Sequence, residues 1–464
     1  MVARGSPRRR EGAPGRPVTS PAVWWVWLLI RIPGALSLAL LWPRAYARRE
    51  ASDLNLYRHW SSQLAHGLLP YRDFHVEYPP GVLALMVLPP LHAATAFRIE
   101  FVVLAVMVDA AALRALLRAG RHALGCWMWV AAPVALGPIV WARLDIFVAA
   151  AVIASVLCVE RDRPLRAGVW LAVAALIKVW PLLLVAAFAV MVGRGRGREV
   201  IGGAAATLVA FVLPVLGWGG WSGLRWMVQD QLGRGVQIES MLAVPLFLAQ
   251  RAGLGYQVTF AHGAHEIVGR WAGGIALAGT LVMLASAFAV VFFVRQRREP
   301  PAAIGAVTLV VVVIVIVTGK VLSPQYLLWA VAAVAVSIDS VARPRLLFCW
   351  TTVALVATQL DYPLLYSRLA EAGRIGTAIS LAHAVAILGF GFVSLSVAVE
   401  VFARLSRPEF RGVESTELGA VPNGARCIRP TPRPSPSRFA AAPCAQPGAD
   451  PRHDSHPEQS QSML

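Results

Sequence analysis

The sequence predicts an all-α, polytopic transmembrane protein with about 10–12 membrane helices and further helices lying at the interface in its external loops. Of its 464 residues, 57% are hydrophobic and 15% are charged, and the mean hydropathy is +0.61. This composition exceeds what a water-soluble domain carries. Apolar runs recur from Ala22 to Phe402, each close to the roughly 20 residues that a helix needs to cross the hydrocarbon core. Short arginine clusters separate the runs, as in cytoplasmic connections.

The two ends of the chain differ from the apolar region between them. Residues 1–21 are basic and proline-rich, and no small-residue cleavage site follows, so we predict a disordered cytoplasmic arm before a retained first helix. Residues 403–464 are rich in Pro, Ser and Arg, which predicts a disordered cytoplasmic tail. The transmembrane domain then spans residues 22–402, with a first external loop at about 43–77.

The basic clusters predict the topology. All seven can be cytoplasmic together if the chain crosses ten times, at about 22–42, 97–117, 124–141, 144–160, 199–217, 270–294, 301–318, 324–338, 345–360 and 377–402. Residues 78–94 must then stay at the surface, and residues 167–192 must enter and return, turning near Lys178 and Pro181. If both segments cross instead, there are about twelve helices and two basic clusters face outward. We favour ten, which gathers the remaining polar segments, and hence the predicted site, on the external face.

Several kinds of partner are not indicated. The formal charge of +18 comes largely from the topological arginines, so we predict no nucleic-acid partner. The five cysteines have neither disulfide nor metal-ligand spacing. His59, His66 and His75 lack the regular spacing of a metal triad, and no glycine-rich phosphate loop occurs. We therefore predict no metal and no cofactor.

The first external loop contains a predicted interfacial helix, "SDLNLYRHWSSQLAHG", with a Ser-Asp start and a Gly stop. One face of this helix turns to lipid or protein and consists of Leu54, Tyr57, Trp60, Ser61 and Leu64. Asp53, at its N-terminal end, is a candidate for an N-cap, for a functional acid, or for both.

The stretch "YRDFHVEYPPG" follows that helix and brings acids to the membrane surface. On a helix, Asp73 and Glu77 would share a face, and like charges held close raise one pKa. Alternatively, both carboxylates lie at a solvated surface, where Arg72 and the backbone of the loop pair with them. Pro79 and Pro80 fix the chain where it meets the bilayer.

Three segments place cations near this external face. Lys178 lies inside an apolar run and needs an anion, either Asp145 or a ligand phosphate. Arg143 and Asp145 are either functional residues of the same site or a plain ion pair at the start of a helix. Lys320, in "TGKVLSPQY", lines a cavity at an irregular segment or is one exposed lysine in a tight hairpin.

Together, "SDLNLYRHW", "PYRDF..EYPP", "ARLD", "LIKVWPLLL" and "GKVLSPQYLLW" resemble the glycosyltransferase family 87 proteins of actinobacteria. These are GT-C-type membrane enzymes similar to polyprenol-phosphate-mannose-dependent α-mannosyltransferases. The resemblance spans roughly residues 22–402. It implies a GT-C-like fold, a polyprenyl-phosphate sugar donor, a glycolipid, lipoglycan or glycan acceptor, and an active site on the outer face of the cell membrane.

The resemblance also implies roles for residues. An acid in the first external loop acts as general base; Asp53 matches it best, and Asp73 and Glu77 are the other candidates. The donor phosphate needs a fixed cation, for which the candidates are Lys178, Lys320, Arg143 and Arg72. We expect the substrate pocket to be lined by Tyr57, Tyr78, Asp145, Gln325 and Tyr326. Direct displacement with one base inverts the anomeric centre. The alternative function is a polytopic transporter or a flippase for lipids or lipid-linked sugars.

Overall fold

The computed structural model describes residues 21–41, 48–49, 51–87, 94–120 and 123–406. The predicted N-terminal arm lies outside the described residues except for its last residue. The predicted tail lies outside them except for residues 403–406, of which the first three continue the last helix.

The described chain is mostly helical, as predicted. Its helices are α1 (Pro21–Leu40), α2 (Ser52–Ala65), α3 (Leu83–Met86), α4 (Ala94–Arg118), α5 (Ala123–Leu136), α6 (Asp145–Glu160), α7 (Pro164–Ala175), α8 (Leu182–Met191), α9 (Arg194–Gly217), α10 (Trp221–Gly233), α11 (Ala243–Arg251), α12 (Ala272–Arg297), α13 (Ile304–Thr318), α14 (Leu327–Ser337), α15 (Pro344–Gln359), α16 (Tyr366–Ala370) and α17 (Arg374–Leu405). Single 3-10 turns occupy Pro80–Val82, Pro138–Trp141, Pro301–Ala303 and Pro324–Tyr326, and a π-helical turn occupies Leu360–Leu364.

Length and composition identify membrane helices. Within the described residues, five helical segments are long and apolar enough to cross a membrane: Pro21–Leu40, Gly195–Gly217, Ala272–Arg297, Pro301–Thr318 and Arg374–Leu405. The remaining predicted crossings coincide with α4, α5, α6, α14 and α15, of which α5 and α14 are shorter apolar helices. The prediction of an all-α polytopic membrane protein is confirmed, while the number of crossings stays a prediction.

The segment predicted to enter and return is a broken helix pair. Residues 176–181 separate α7 from α8, because Pro181 has no N–H to continue the helical ladder. An ion pair between Arg196 and Asp162 joins the connection before α7 to the first turn of α9. Both outer ends of the pair therefore lie on the same side of the helices, which supports the ten-crossing topology.

Small residues let α9 lie directly against this pair. A Cβ atom at Gly168 would collide with the carbonyl of Val200, and one at Gly197 would collide with the carbonyl of Ala189. Water exclusion contributes little to the association of helices inside a membrane. Close backbone contact of this kind stabilises the helix pair through van der Waals packing instead.

The other segment predicted not to cross, 78–94, is also irregular. After the 3-10 turn at Pro80–Val82 it forms only the four-residue helix α3, and residues 88–93 lie outside the described part of the chain. At the start of α4, Arg98 donates two hydrogen bonds to the carbonyl of Ala39. This contact places the end of α1 and the start of α4 at the same end of the bundle.

A buried ion pair joins α1 and α4 at mid-length. Arg31 and Asp109 are each 1% exposed, and the Arg31 Nε atom lies 2.8 Å from Asp109 Oδ2. Indole N–H groups of Trp27, Trp129 and Trp141 also donate to the Asp109 carboxylate. The carboxylate is thus fully hydrogen-bonded, which offsets the desolvation of both charges.

A small antiparallel sheet, which the sequence analysis did not predict, lies in the segment between α9 and α12. Its strands are β1 (Val236–Gln237), β2 (Gln257–Ala261) and β3 (Ala264–Val268), in the order β1-β3-β2. Strands β2 and β3 form a hairpin around His262 and Gly263, both with positive φ. Val236 and Ile267 of the sheet belong to one apolar cluster with residues of α11 and of the start of α12.

We predict that Asp109→Ala destabilises the protein by roughly 3–5 kcal/mol, because it leaves the Arg31 charge buried without a counterion. Thermal unfolding in detergent micelles measures the effect. The matched control is Glu199→Ala, which removes a partly exposed carboxylate 4.0 Å from Arg196 and should change stability by less than about 1 kcal/mol. Equal stability of both variants would contradict a structural role for the pair.

Candidate active site

A polar cavity of about 910 Å³ opens at the end of the bundle that carries the predicted first external loop. Its wall combines the start of α2, residues 77–78, the segment before α6, the turn between α7 and α8, the β2–β3 hairpin and residues 362–371. Seven of the predicted site residues line it: Asp53, Glu77, Tyr78, Arg143, Lys178, Gln325 and Tyr326.

Lys178 enters the cavity from the turn between α7 and α8. Its Nζ atom lies 4.5 Å from the ring centre of Tyr78 and 5.0 Å from that of Tyr326. It also interacts electrostatically with the buried carboxylate of Asp145. Aromatic faces and a nearby anion stabilise a desolvated ammonium. Lys178 therefore has a protein partner and also faces the cavity.

Gly81 fixes the position of that turn. Its N–H donates to the carbonyl of Leu176 at 2.9 Å, and a Cβ atom on Gly81 would lie 2.7 Å from the same oxygen. Only glycine lets the two backbones approach so closely. The "PPG" of the sequence thus holds the segment with Tyr78 against the segment with Lys178.

Arg143 and Asp53 form an ion pair at the cavity wall, and Arg143 also donates to Ser52 Oγ at 3.0 Å. Arg143 is buried, whereas the Asp53 side chain is about one-third exposed. The alternative in which Asp53 caps α2 is wrong: the N-cap position is Ala51, and no side chain caps the helix. Arg143 pairs directly with Asp53 and also interacts electrostatically with the carboxylate of Asp145 at the start of α6.

Glu77 lies in the cavity wall, and its burial raises the pKa of its carboxyl group. Asp73 lies outside the lining residues. It accepts two hydrogen bonds from Arg72, at 2.8 and 2.9 Å, and one from the N–H of Leu69. These bonds lower the pKa of Asp73. The shared helical face considered for Asp73 and Glu77 is wrong, because residues 71–79 form turns and extended loop.

Four other predicted site residues also lie outside the cavity lining. Lys320 Nζ donates to the carbonyls of Leu232 and Arg234, at 2.9 and 2.8 Å, and so anchors the end of α10. Arg72 is engaged with Asp73. Tyr57 is buried behind Tyr78, with its ring also packed 5.3 Å from that of Phe101. The fourth, Asp145, is buried next to Lys178.

The structure adds cavity residues that the sequence analysis did not select: Arg49, Arg234, Gln237, Glu239, His262, His265, Tyr362, Tyr366 and Glu371. Most come from the β-sheet and from the segment between α15 and α17. The alternation of polar and apolar residues around the His-Gly of "QVTFAHGAHEIV" was the available signal for the hairpin. Among the described residues, no group of three or more His, Cys, Asp or Glu side chains could hold a metal ion.

The described chain thus combines apolar helices of membrane-spanning length with one cavity that holds both carboxylates and cations. The model of glycosyltransferase family 87 matches residues 74–324, more than half of the chain. The protein belongs to this family and is a membrane glycosyltransferase. A search of curated proteins finds no relative for the chain.

The match covers less than the resemblance drawn from the sequence, which extended over roughly 22–402. It includes Glu77, Arg143, Asp145 and Lys178, but it begins after Asp53 and Asp73. The role of Asp53 therefore depends on the geometry of the cavity and not on the family match.

We predict that Gly81→Ala lowers sugar transfer by about 10²-fold, because the added methyl group separates Tyr78 from the Lys178 turn and shifts the cation. The rate is measured in membranes containing equal amounts of protein. Gly274→Ala is the control, since a Cβ at Gly274 meets nothing within 4 Å. Full activity of Gly81→Ala would show that this contact does not position Lys178.

Proposed function

We propose that the protein transfers a sugar, mannose in the first instance, from a polyprenyl-phosphate donor to a glycolipid, lipoglycan or glycan acceptor, with inversion at the anomeric carbon. The observation that carries this proposal is that Asp53, Lys178 and Arg143 meet in one cavity. A carboxylate and two cations are the groups that such a displacement needs.

The cations suit the leaving group. When the bond between the anomeric carbon and the donor phosphate oxygen breaks, the bonding electrons pass to the phosphate, and its negative charge grows. The Lys178 ammonium and the Arg143 guanidinium would stabilise that charge in a site of low dielectric constant. The Nε atom of Arg143 has no hydrogen-bond partner among the described residues and remains able to donate. Lys320 and Arg72 are less suitable because other groups already engage them.

Asp53 is the best-placed base. Its partly exposed carboxylate would accept the proton of the acceptor hydroxyl as that oxygen attacks the anomeric carbon. Arg143 holds the carboxylate in place until a phosphate competes for the guanidinium. Glu77 is the second candidate, since it lines the same cavity. Asp73 is the least suitable candidate for the base. It lies outside the cavity, and its carboxylate already accepts hydrogen bonds from Arg72 and from the N–H of Leu69.

An apolar groove of about 430 Å³ supports a polyprenyl donor. It is lined by α4, α6, α7 and α9, and small side chains on α4 and α6 make room for it. Its wall includes Leu176 and Ile177, which directly precede Lys178, and Phe147, two residues after Asp145. An isoprenoid chain in this groove would leave its phosphate beside the cations. Family membership likewise favours transfer over the transporter or flippase alternative.

The basic connections support an outward-facing cavity in the cell membrane. Helix α6 begins at the cavity with Asp145 and ends at the arginine-rich connection before α7. The first turn of α9 adjoins that same connection through Arg196. Connections rich in arginine are retained in the cytoplasm, so the cavity would face the other side.

We predict that Asp53→Asn lowers transfer of radiolabelled mannose from polyprenyl-phosphate mannose by about 10²–10⁴-fold, because the acceptor hydroxyl loses its base. Asp73→Asn is the control and should keep transfer within about two-fold, as Asp73 lies outside the cavity. Normal levels of each variant in the membrane must be verified. If Asp73→Asn abolishes transfer while Asp53→Asn stays active, the base is misassigned; solute movement without any glycoside would contradict the proposed function.

We predict that Ala150→Phe, which fills the groove, raises KM for a decaprenyl donor by about tenfold but leaves KM for a short citronellyl donor nearly unchanged. The reason is that only the long chain loses buried methylene groups. Ala285→Phe, on the exposed face of α12, is the control. An equal effect of Ala150→Phe on both donors would show that the groove does not hold the isoprenoid chain.

A further inference from the structure

The cavity has a second polar wall, remote in sequence from Asp53 and Lys178. Glu239, which follows β1, is 4% exposed, and its Oε2 atom has no hydrogen-bond partner among the described residues. The Oε1 atom of the neighbouring cavity residue Gln237 is likewise without a partner in the described chain. Two buried acceptors thus adjoin the cavity with their hydrogen-bonding capacity unused, which is costly unless a ligand supplies donors.

Neighbouring groups hold these acceptors in place. The side chains of Tyr366 and Gln237 interact with Glu239, and the hydroxyl of Tyr366 lies 3.1 Å from His265 Nδ1. Burial and the nearby Asp361 carboxylate raise the pKa of Glu239 well above its ordinary value. A carboxyl group that carries a proton can both donate and accept a hydrogen bond, as recognition of a hydroxyl group requires.

Two arginines belong to this wall. Arg49 donates to the carbonyl of Pro363 at 3.0 Å and to Ser367 Oγ at 3.2 Å. Arg234 donates to the carbonyl of His262 at 2.6 Å, while its Nε atom has no hydrogen-bond partner among the described residues. The wall therefore offers a ligand two buried acceptors and one N–H donor, which suits hydroxyl groups because they both donate and accept hydrogen bonds.

Aromatic rings complete the wall. The rings of Tyr362 and Tyr366 meet edge to face at 5.0 Å, and the ring of His265 lies 5.4 Å from that of Tyr366. Phe260, on the hairpin, also lines the cavity and is 69% exposed. Flat apolar faces beside a few fixed polar atoms are the usual composition of a site for a small organic ring.

We infer that this wall binds the sugar end of the acceptor, with Glu239 and Gln237 taking hydrogen bonds from its hydroxyl groups and the tyrosine rings packing against the ring carbons. The inference rests on the proposed function and specifies its acceptor: a glycan or glycolipid whose terminal residue is a sugar, not a protein side chain. The donor phosphate and the acceptor sugar would enter from opposite walls and meet at Asp53.

The test measures binding to the full chain in lipid nanodiscs by saturation-transfer NMR, with octyl α-D-mannoside as the sugar probe and N-octanoyl-serine amide as the protein-like probe. Glu239→Leu should weaken the mannoside by at least about tenfold, because a hydrogen bond to a buried carboxyl group is lost. Glu239→Gln, which restores a donor and an acceptor, should recover most of the affinity. Glu199→Gln, a carboxylate outside the cavity, is the control and should bind like the wild type.

Affinity for decaprenyl phosphate, measured on the same samples, tests folding and the donor site separately. It should stay within about two-fold in Glu239→Leu. The inference is overturned if Glu239→Leu binds the mannoside normally, if it loses both ligands together, or if the serine probe binds as tightly as the mannoside and depends equally on Glu239. Failure of the wild type to bind decaprenyl phosphate, with mannoside binding intact, would instead contradict the proposed function.

Discussion

The burial of one positive charge, that of Lys178, is the constraint on which the rest of the site depends. An ammonium ion at membrane depth must be surrounded by groups that replace its water. Here Tyr78, Tyr326 and Asp145 do so, and they come from three separate parts of the chain. The broken α7–α8 pair, the close contact at Gly81 and the start of α6 all serve to bring these groups to the turn. The buried charge of Lys178 therefore determines the local arrangement of these segments as well as the proposed phosphate site.

Two environments meet at this turn. Below it, the apolar groove ends at Leu176 and Ile177; above it, the polar cavity begins with Lys178 and the Arg143–Asp53 pair. A substrate with an isoprenoid chain and a charged phosphate has the same division along its length. The sheet and the segment between α15 and α17 close the far side of the cavity with acceptors and aromatic rings. This layering fits the proposed transfer, in which the donor chain lies in the bilayer and the acceptor enters the polar cavity.

Local signals in the sequence predicted much of the fold. Apolar run length located the helices, Ser-Asp and Gly bounded α2, and Pro181 marked the break beside Lys178, because each feature depends on a few adjacent residues. Contacts between distant residues could not be read in this way. The Arg143–Asp53 pair joins residues about 90 positions apart, and the hydrogen bonds of Lys320 to the carbonyls that end α10 depend on how the segment between α9 and α12 folds. Glu239 and Tyr366 were missed for the same reason, since nothing near either residue indicates that they meet.

In the proposed mechanism, the donor phosphate binds between Lys178 and Arg143 while its isoprenoid chain follows the apolar groove. Cryo-electron microscopy of the full chain in nanodiscs with decaprenyl phosphate tests it most directly. We expect phosphate density within hydrogen-bonding distance of Lys178 Nζ and the Arg143 guanidinium, with chain density between α4, α6 and α7. Phosphate density at Arg72 or Lys320, with the groove empty, would contradict it.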